Sequence, residues 1–410
     1  MALFCENDPP LFSEQSRQEV AVRLMEFKTF FQHFHGYVST LICIFGISTN
    51  LLHMVVLTRP TMRNSVNCLL TAVAVCDMGT MSTYLAYLYH FELQRSGGDG
   101  CYGYSRGWIQ FLLVHVFSSI YLHSVSLWLV VLLAFVRRMS LRDKRMQSEW
   151  QRPTRAWRLC TLTFVLVFVF CSPTILIHRA AILPDETIAQ CPDNATLRYT
   201  VEISAEAQNN GCRLFKINLW MSGLLLKVVP SLLLIILIAG LIKHLHLHIR
   251  RRSVSLQKES QSQQSTTIML VFILAIFLIT ELPQGALAIL GAVYTRDVYT
   301  YIYAGFGDAM DLMSLINSSI NFVLYLIMSS KYRQMFAKVI FPKLFYKRYY
   351  SSVISKTGSR SRMTRMDDLA STNIESPFRS LLSEDSPVHN RPNHGAFELL
   401  IYCDTVEIML

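Results

Sequence analysis

The sequence predicts an all-α membrane protein: a seven-transmembrane helix bundle with a short amphipathic helix after the seventh span. Three observations predict it. The chain has 410 residues, of which 52% are hydrophobic and only 16% charged, and its mean hydropathy is +0.33; a soluble domain is nearer a quarter charged. Seven apolar runs, at 36–58, 67–91, 106–136, 155–178, 216–242, 265–292 and 302–328, are each long enough to cross about 30 Å of hydrocarbon as a helix. Lysine and arginine collect in alternate connections between these runs.

The first twenty residues, MALFCENDPPLFSEQSRQEV, are polar and acidic. They lack a basic start followed by a short apolar core, so no cleavable signal is expected and the first run serves as the signal. Each run is read as a helix, because in lipid a single open-ended segment must satisfy its own backbone groups. Arg59 and Arg63 follow the first run, and Arg137, Arg138, Arg142, Lys144, Arg145 and Arg152 follow the third. Lys243, Arg250, Arg251, Arg252 and Lys258 follow the fifth, and Lys331, Arg333 and Lys338 follow the seventh. The other connections carry Glu92, Asp99, Asp185, Glu186 and Asp193. This asymmetry places the N-terminus outside and the tail in the cytoplasm. The net charge of +10 then faces the anionic inner leaflet, and membrane lipids rather than nucleic acid are its expected partners.

The expected organisation is an extracellular N-terminus over 1–35, the bundle over 36–330, an amphipathic helix over 331–347 and a disordered cytoplasmic tail over 348–410. In that tail Ser and Thr near Arg360, Arg362 and Arg365 read either as kinase targets or as plain solvated chain. Asn194-Ala195-Thr196 is a glycosylation sequon in an outer connection. Asn317-Ser318-Ser319 has the same pattern but falls inside the seventh run, out of reach. TVEIS and CRLF flank AEAQNNG and suggest a hairpin. Cys43, Cys68, Cys76, Cys160 and Cys171 lie in apolar runs and read as small packed residues.

Polar groups inside the membrane are costly and point to function. Asp77, Ser126, Asn317 and Asn321 form one such set, the two asparagines sharing a helix face at i and i+4. A carboxylate, a hydroxyl and two amides can hold a small cation with water, or they are a plain hydrogen-bonded cluster; spacing alone does not choose. Glu281, between leucines and next to Pro283, is the other conspicuous charge.

These positions resemble the rhodopsin-like (class A) G-protein-coupled receptors. GISTN with Asn50, LTAVAVCD ending at Asp77, and NFVLY from Asn321 to Tyr325 resemble three of that family's motifs; Pro173, Pro230 and Pro283 fall at its helix bends. Two departures narrow the branch: Val136-Arg137-Arg138 lacks the acid before the arginine, and Glu281 stands where that family usually has tryptophan. TELPQG, LTRPTMRNSVNCLLTAVAV and LHSVSLWLVVLLAFVRR are similar to invertebrate myosuppressin and FMRFamide-like neuropeptide receptors, nematode members above all, over roughly 36–345.

The resemblance implies an internal sodium ion at Asp77, Ser126, Asn317 and Asn321, and no other cofactor. It implies a disulfide from Cys101 to Cys212, with Cys191 the alternative. It implies an amidated neuropeptide agonist ending in Arg-Phe-amide, bound among Tyr84, Tyr87, His115, Tyr121, His123, Glu281, Gln284, Asp308 and Asp311. Glu281 and Asp311 are the candidate partners of its guanidinium, and the aromatic residues take its phenylalanine. Signalling at the plasma membrane then runs through Arg137, Arg138, Pro283 and Tyr325 to a heterotrimeric G protein, of the Gi/o class by resemblance. Arrestin and a receptor kinase meet the tail.

Other classes fare worse. Gly305-Phe306-Gly307-Asp308 matches one motif of intramembrane aspartyl proteases, but the second catalytic aspartate motif is missing, so no enzyme is expected. Residues 302–328 hold no lysine for a retinal Schiff base, and 106–136 hold no acid for an amine ligand. A chemosensory receptor for a small non-peptide ligand is the alternative.

Overall fold

The computed structural model describes residues 9–94, 103–140, 149–183, 198–252 and 259–342. The chain divides into two units at Arg333, and the bundle lies in the first. Its seven helices are long and apolar enough to cross a membrane, as expected. They are α1 (Glu14–Leu57), α2 (Ser65–Tyr87), α3 (Arg106–Ser140), α4 (Pro153–Cys171, continued by Pro173–Ile177), α5, α6 (Glu259–Val293) and α7 (Ala304–Met328). Helix α5 runs Ala205–Trp220, passes through a π-turn at Met221–Val228 and resumes at Val229–Arg252. A short α8 (Ser330–Ile340) follows. The tail from 343 onward lies outside the described residues.

Helix α1 departs most from the expected boundaries. It begins at Glu14 rather than at 36, so most of the segment assigned to the N-terminus is helical. Ser13 caps it by accepting from the Ser16 amide, Glu14 occupies the first turn, and no proline intervenes before Pro60. The added turns pack on the start of α7, with Phe27 against Phe306 and Leu24 over Gly305. Asp297, in the α6–α7 connection, holds the entry to α1. Its Oδ2 accepts from the Leu11 amide at 2.8 Å and the Phe12 amide at 3.3 Å, and Oδ1 lies 3.3 Å from Arg17 Nε. Hydrogen bonds to a charged group contribute about 1.5–3 kcal/mol each. Asp297→Ala is therefore expected to speed amide hydrogen exchange over residues 11–24 by about tenfold or more, leaving the bundle interior protected. Unchanged exchange there would mean that the apolar contacts alone hold the segment.

The hairpin also differs from expectation. Its strands are β1 (His178–Ile182) and β2 (Tyr199–Ile203), antiparallel with His178 opposite Ile203 and Ile182 opposite Tyr199. Residues 205–215, expected to hold its turn and second strand, are helical. Ser204 explains this: its hydroxyl accepts from the Ala207 amide and donates to the Leu176 carbonyl, and Glu206 sits in the first turn, so a helix starts where the turn was expected. Tyr104, ahead of α3, pairs with Tyr199 and joins this end of the bundle to the hairpin. Cys212 is buried and disulfide-bonded, with a left-handed φ of 59° that an ordinary residue seldom adopts. Cys101, Cys191 and Asn194 lie outside the described residues.

Helices α1, α2 and α7 approach closely where α1 carries a glycine. A Cβ at Gly46 would overlap Met81 Sδ and Ser319 Oγ, so only glycine permits the approach. One turn on, Asn50 Nδ2 donates to the Ser318 carbonyl at 3.0 Å and ties α1 to α7. Cys43, Cys68, Cys76, Cys160 and Cys171 are buried, as packed residues should be.

Candidate functional site

Two polar layers cross the bundle interior. The layer nearer the hairpin is built from α2, α3, α5, α6 and α7. Glu281 is 0% exposed and, among the described residues, has the only carboxylate in this layer with no access to solvent. Its Oε1 lies 2.9 Å from His123 Nε2 on α3, approaching as an ion pair without the alignment of a hydrogen bond. The neighbour answers the physical objection to a carboxylate in hydrocarbon. An imidazolium at that distance offsets the carboxylate's charge. Its Oε2 has no hydrogen-bond partner among the described residues.

Asp311 differs in kind. It lies on the inward face of α7, where Tyr84 on α2 donates to its Oδ2 at 3.3 Å, yet its side chain is exposed. Its carboxylate thus keeps access to solvent between the helices. Asp308, one turn earlier, is half-buried and acts electrostatically on Asp311, Tyr84 and Tyr87. Opposite them Tyr87 stacks on His115, with ring centroids 5.1 Å apart and planes 13° apart, and Tyr84 packs on the same imidazole at 5.7 Å. This wall is aromatic and flat, and an acidic floor lies beside it.

Gln284 joins three helices. Its Oε1 accepts from Lys227 Nζ on α5, and its Nε2 donates to Ser314 Oγ on α7 at 2.7 Å. Neither Lys227 nor Ser314 is among the candidates that the sequence offers; a lysine inside an apolar run is the signal for the first. Of the predicted pocket residues, Glu281 is wholly buried against His123 with no open face for a ligand cation, and Tyr121 is turned away. Its hydroxyl donates to the Phe164 carbonyl of α4 at 3.1 Å and its ring packs on Phe117 and Phe168.

The second layer surrounds Asp77, which is buried. Its Oδ1 accepts from Ser126 Oγ at 3.2 Å and Ser318 Oγ at 3.1 Å, and its Oδ2 from Asn321 Nδ2 at 3.4 Å. Three of the four expected residues thus meet. Asn317 is buried beside them, but Ser318 takes the place expected for it. Positions 318 and 321 share a helix face at i and i+3 just as 317 and 321 do at i and i+4, and the phase of α7 selects the first pair. His123 is near enough to act on Asp77 as well as on Glu281, so it stands between the layers.

At the end away from the hairpin, Arg137 is buried and interacts electrostatically with Tyr325. Tyr325 packs on His53 and on Tyr332 of α8, and His53 Nδ1 is 3.0 Å from the Tyr332 hydroxyl. Arg138 is exposed and lies across Gly240 of α5. Helix α6 runs unbroken through Pro283, whose ring denies the Ile279 carbonyl its usual partner.

This architecture has known counterparts. Residues 37–343 match the family described as serpentine type 7TM GPCR chemoreceptor Srw. The chain is also 31% identical over 355 residues to G-protein coupled receptor dmsr-1 of Caenorhabditis elegans, the match covering 76% of this chain and 69% of that protein. The seven spans, the polar interior and the extent of the family match lead to one assignment: the chain belongs to the Srw family of seven-transmembrane G-protein-coupled receptors, which are signalling receptors and not enzymes.

Proposed function

We propose that this receptor responds to an amidated neuropeptide of the FMRFamide-like or myosuppressin-like kind. The observation that carries the reading is Asp311: a solvent-accessible carboxylate on α7, hydrogen-bonded by Tyr84 next to the Tyr87–His115 stack. A guanidinium placed there forms a charge-assisted pair, and the adjacent rings receive a phenylalanine. Asp308 at the mouth adds a field that draws cations in. The sequence resemblance to invertebrate peptide receptors, and through them to the rhodopsin-like class, points the same way.

The N-terminus is outside the plasma membrane and the basic connections face the cytoplasm, by the lysine and arginine asymmetry. Peptide binding favours a state in which α6 pivots about Pro283 and opens a cleft beside Arg137 and Tyr325. A heterotrimeric G protein, of the Gi/o class by resemblance, enters that cleft, and the phosphorylated tail recruits arrestin. By the resemblance Cys212 pairs with Cys101, with Cys191 the alternative, and the Asn194 sequon is a glycan acceptor. A cell-based screen of amidated neuropeptides with a G-protein readout tests the reading; silence across the panel ends it. The matched family's description as chemoreceptors favours a second reading, a small non-peptide ligand, and a small-molecule arm of the same screen separates the two.

The Asp77 layer fits a sodium ion in its donor set. A carboxylate and two hydroxyl oxygens converge there, and Asp77, Ser126 and Ser318 would hold the ion. Bound, it supplies a positive charge to the buried carboxylate. Asp77→Asn is expected to abolish any dependence of agonist affinity on sodium, measured by radioligand competition in sodium and in a bulky organic cation. Persistent sodium dependence in that variant sinks the ion-site reading.

A further inference from the structure

Lys227 occupies the π-turn of α5, three residues before Pro230. Such turns interrupt the regular ladder and recur at functional positions. Among the described residues no carboxylate lies within ion-pair distance of its ammonium. Its hydrogen bond goes to the neutral Gln284 Oε1. An ammonium has three donors, so capacity remains. Gln284 is spent on both sides, because its Nε2 donates to Ser314 Oγ, so it tethers and aims Lys227 without neutralising it. Ser314 is one turn of α7 from Asp311, which places the ammonium on the same side of α7 as that carboxylate. Glu281 and Asp311 both feel its charge without touching it.

We propose that Lys227 is a ligand-anchoring residue whose ammonium donates to a carbonyl-type oxygen of the ligand while Asp311 takes the ligand's cation. The ligand class is therefore bipolar, with a cationic group and a carbonyl acceptor in one molecule. This rests on the amidated-peptide reading and sharpens it: the arginine guanidinium meets Asp311 and the terminal carboxamide oxygen meets Lys227. The charge balance explains why the end would be an amide. Asp308 and Asp311 oppose one lysine, so this part of the bundle is net negative. A free carboxylate would meet repulsion from Asp308 and Asp311, and a carboxamide keeps the acceptor oxygen without the charge.

The test uses the full-length receptor in cells, with surface expression measured alongside the G-protein response. Wild type, Lys227→Met and Lys227→Arg are compared on an Arg-Phe-amide peptide and on the same peptide lacking its terminal carboxamide. Lys227→Met is expected to weaken the amidated peptide about tenfold or more, the worth of one charge-assisted hydrogen bond. It should not further weaken the truncated peptide, and Lys227→Arg should recover most of the loss. Equal losses for both peptides, or none for the amidated one, overturn the proposal. If no amidated peptide activates wild type, the peptide reading fails by itself. The variants are then run on whichever small agonist the screen supplies. Loss confined to agonists bearing a carbonyl or carboxylate upholds the Lys227 assignment, and indifference to Lys227→Met removes it.

Discussion

Asp311→Ala shifts the agonist response to a roughly 10- to 100-fold higher concentration, at unchanged surface expression. The size follows from the charge-assisted bond that alanine cannot make. A hydrogen-bonded pair with a charged partner contributes about 1.5–3 kcal/mol, and every 1.4 kcal/mol is about tenfold in affinity. The folding penalty is small because the carboxylate keeps access to solvent, and its hydrogen-bond partner among the described residues is Tyr84 at 3.3 Å. Asp311→Asn separates charge from shape: it keeps the Tyr84 hydrogen bond and still forfeits the guanidinium. A peptide whose arginine is replaced by citrulline should be equally weak on wild type and on Asp311→Ala. If Asp311→Ala leaves the dose–response where it was, Asp311 does not contact the agonist's cation.

The second large effect is on stability. His123→Leu leaves the wholly buried Glu281 without its partner. Removing one member of a buried ion pair costs about 3–5 kcal/mol, because the other charge stays out of water. A typical fold has only about 5–15 kcal/mol in hand, so most of the protein is expected to fail surface delivery. Adding Glu281→Gln removes the stranded charge and should recover much of the loss. Thermal unfolding in detergent, with surface counts, reads both steps. A single variant as stable as wild type would show that Glu281 needs no counter-charge from α3.

The seven spans are legible in the sequence because length and apolarity alone decide them. Asp77, Ser126 and Asn321 are legible because each is a costly group at helical spacing. What stays hidden has physical causes. Glu281 declares itself, but its neutralising partner does not, since His123 comes from a helix distant in sequence. Asn317 and Ser318 are adjacent, and only the rotation of α7 chooses between them. Lys227 stands out inside an apolar run, but the Gln284 that holds it comes from another helix, and Tyr121 faces α4 for reasons of packing that no periodicity records. The hairpin is misplaced by one strand because Ser204 reads as the end of a strand, whereas its hydroxyl caps a helix.

The length of α1 has a mechanical consequence. At 1.5 Å per residue its 44 residues extend about 66 Å, against roughly 30 Å of hydrocarbon. About half of the rod therefore stands clear of the lipid as a handle. Its far end is fastened through Asp297 to the α6–α7 junction, and its last third is keyed into α2 and α7 at Gly46 and Asn50. An antibody or crosslinker that grips Leu11 to Arg17 thus pulls on α7 directly and can bias the receptor without entering its cavity.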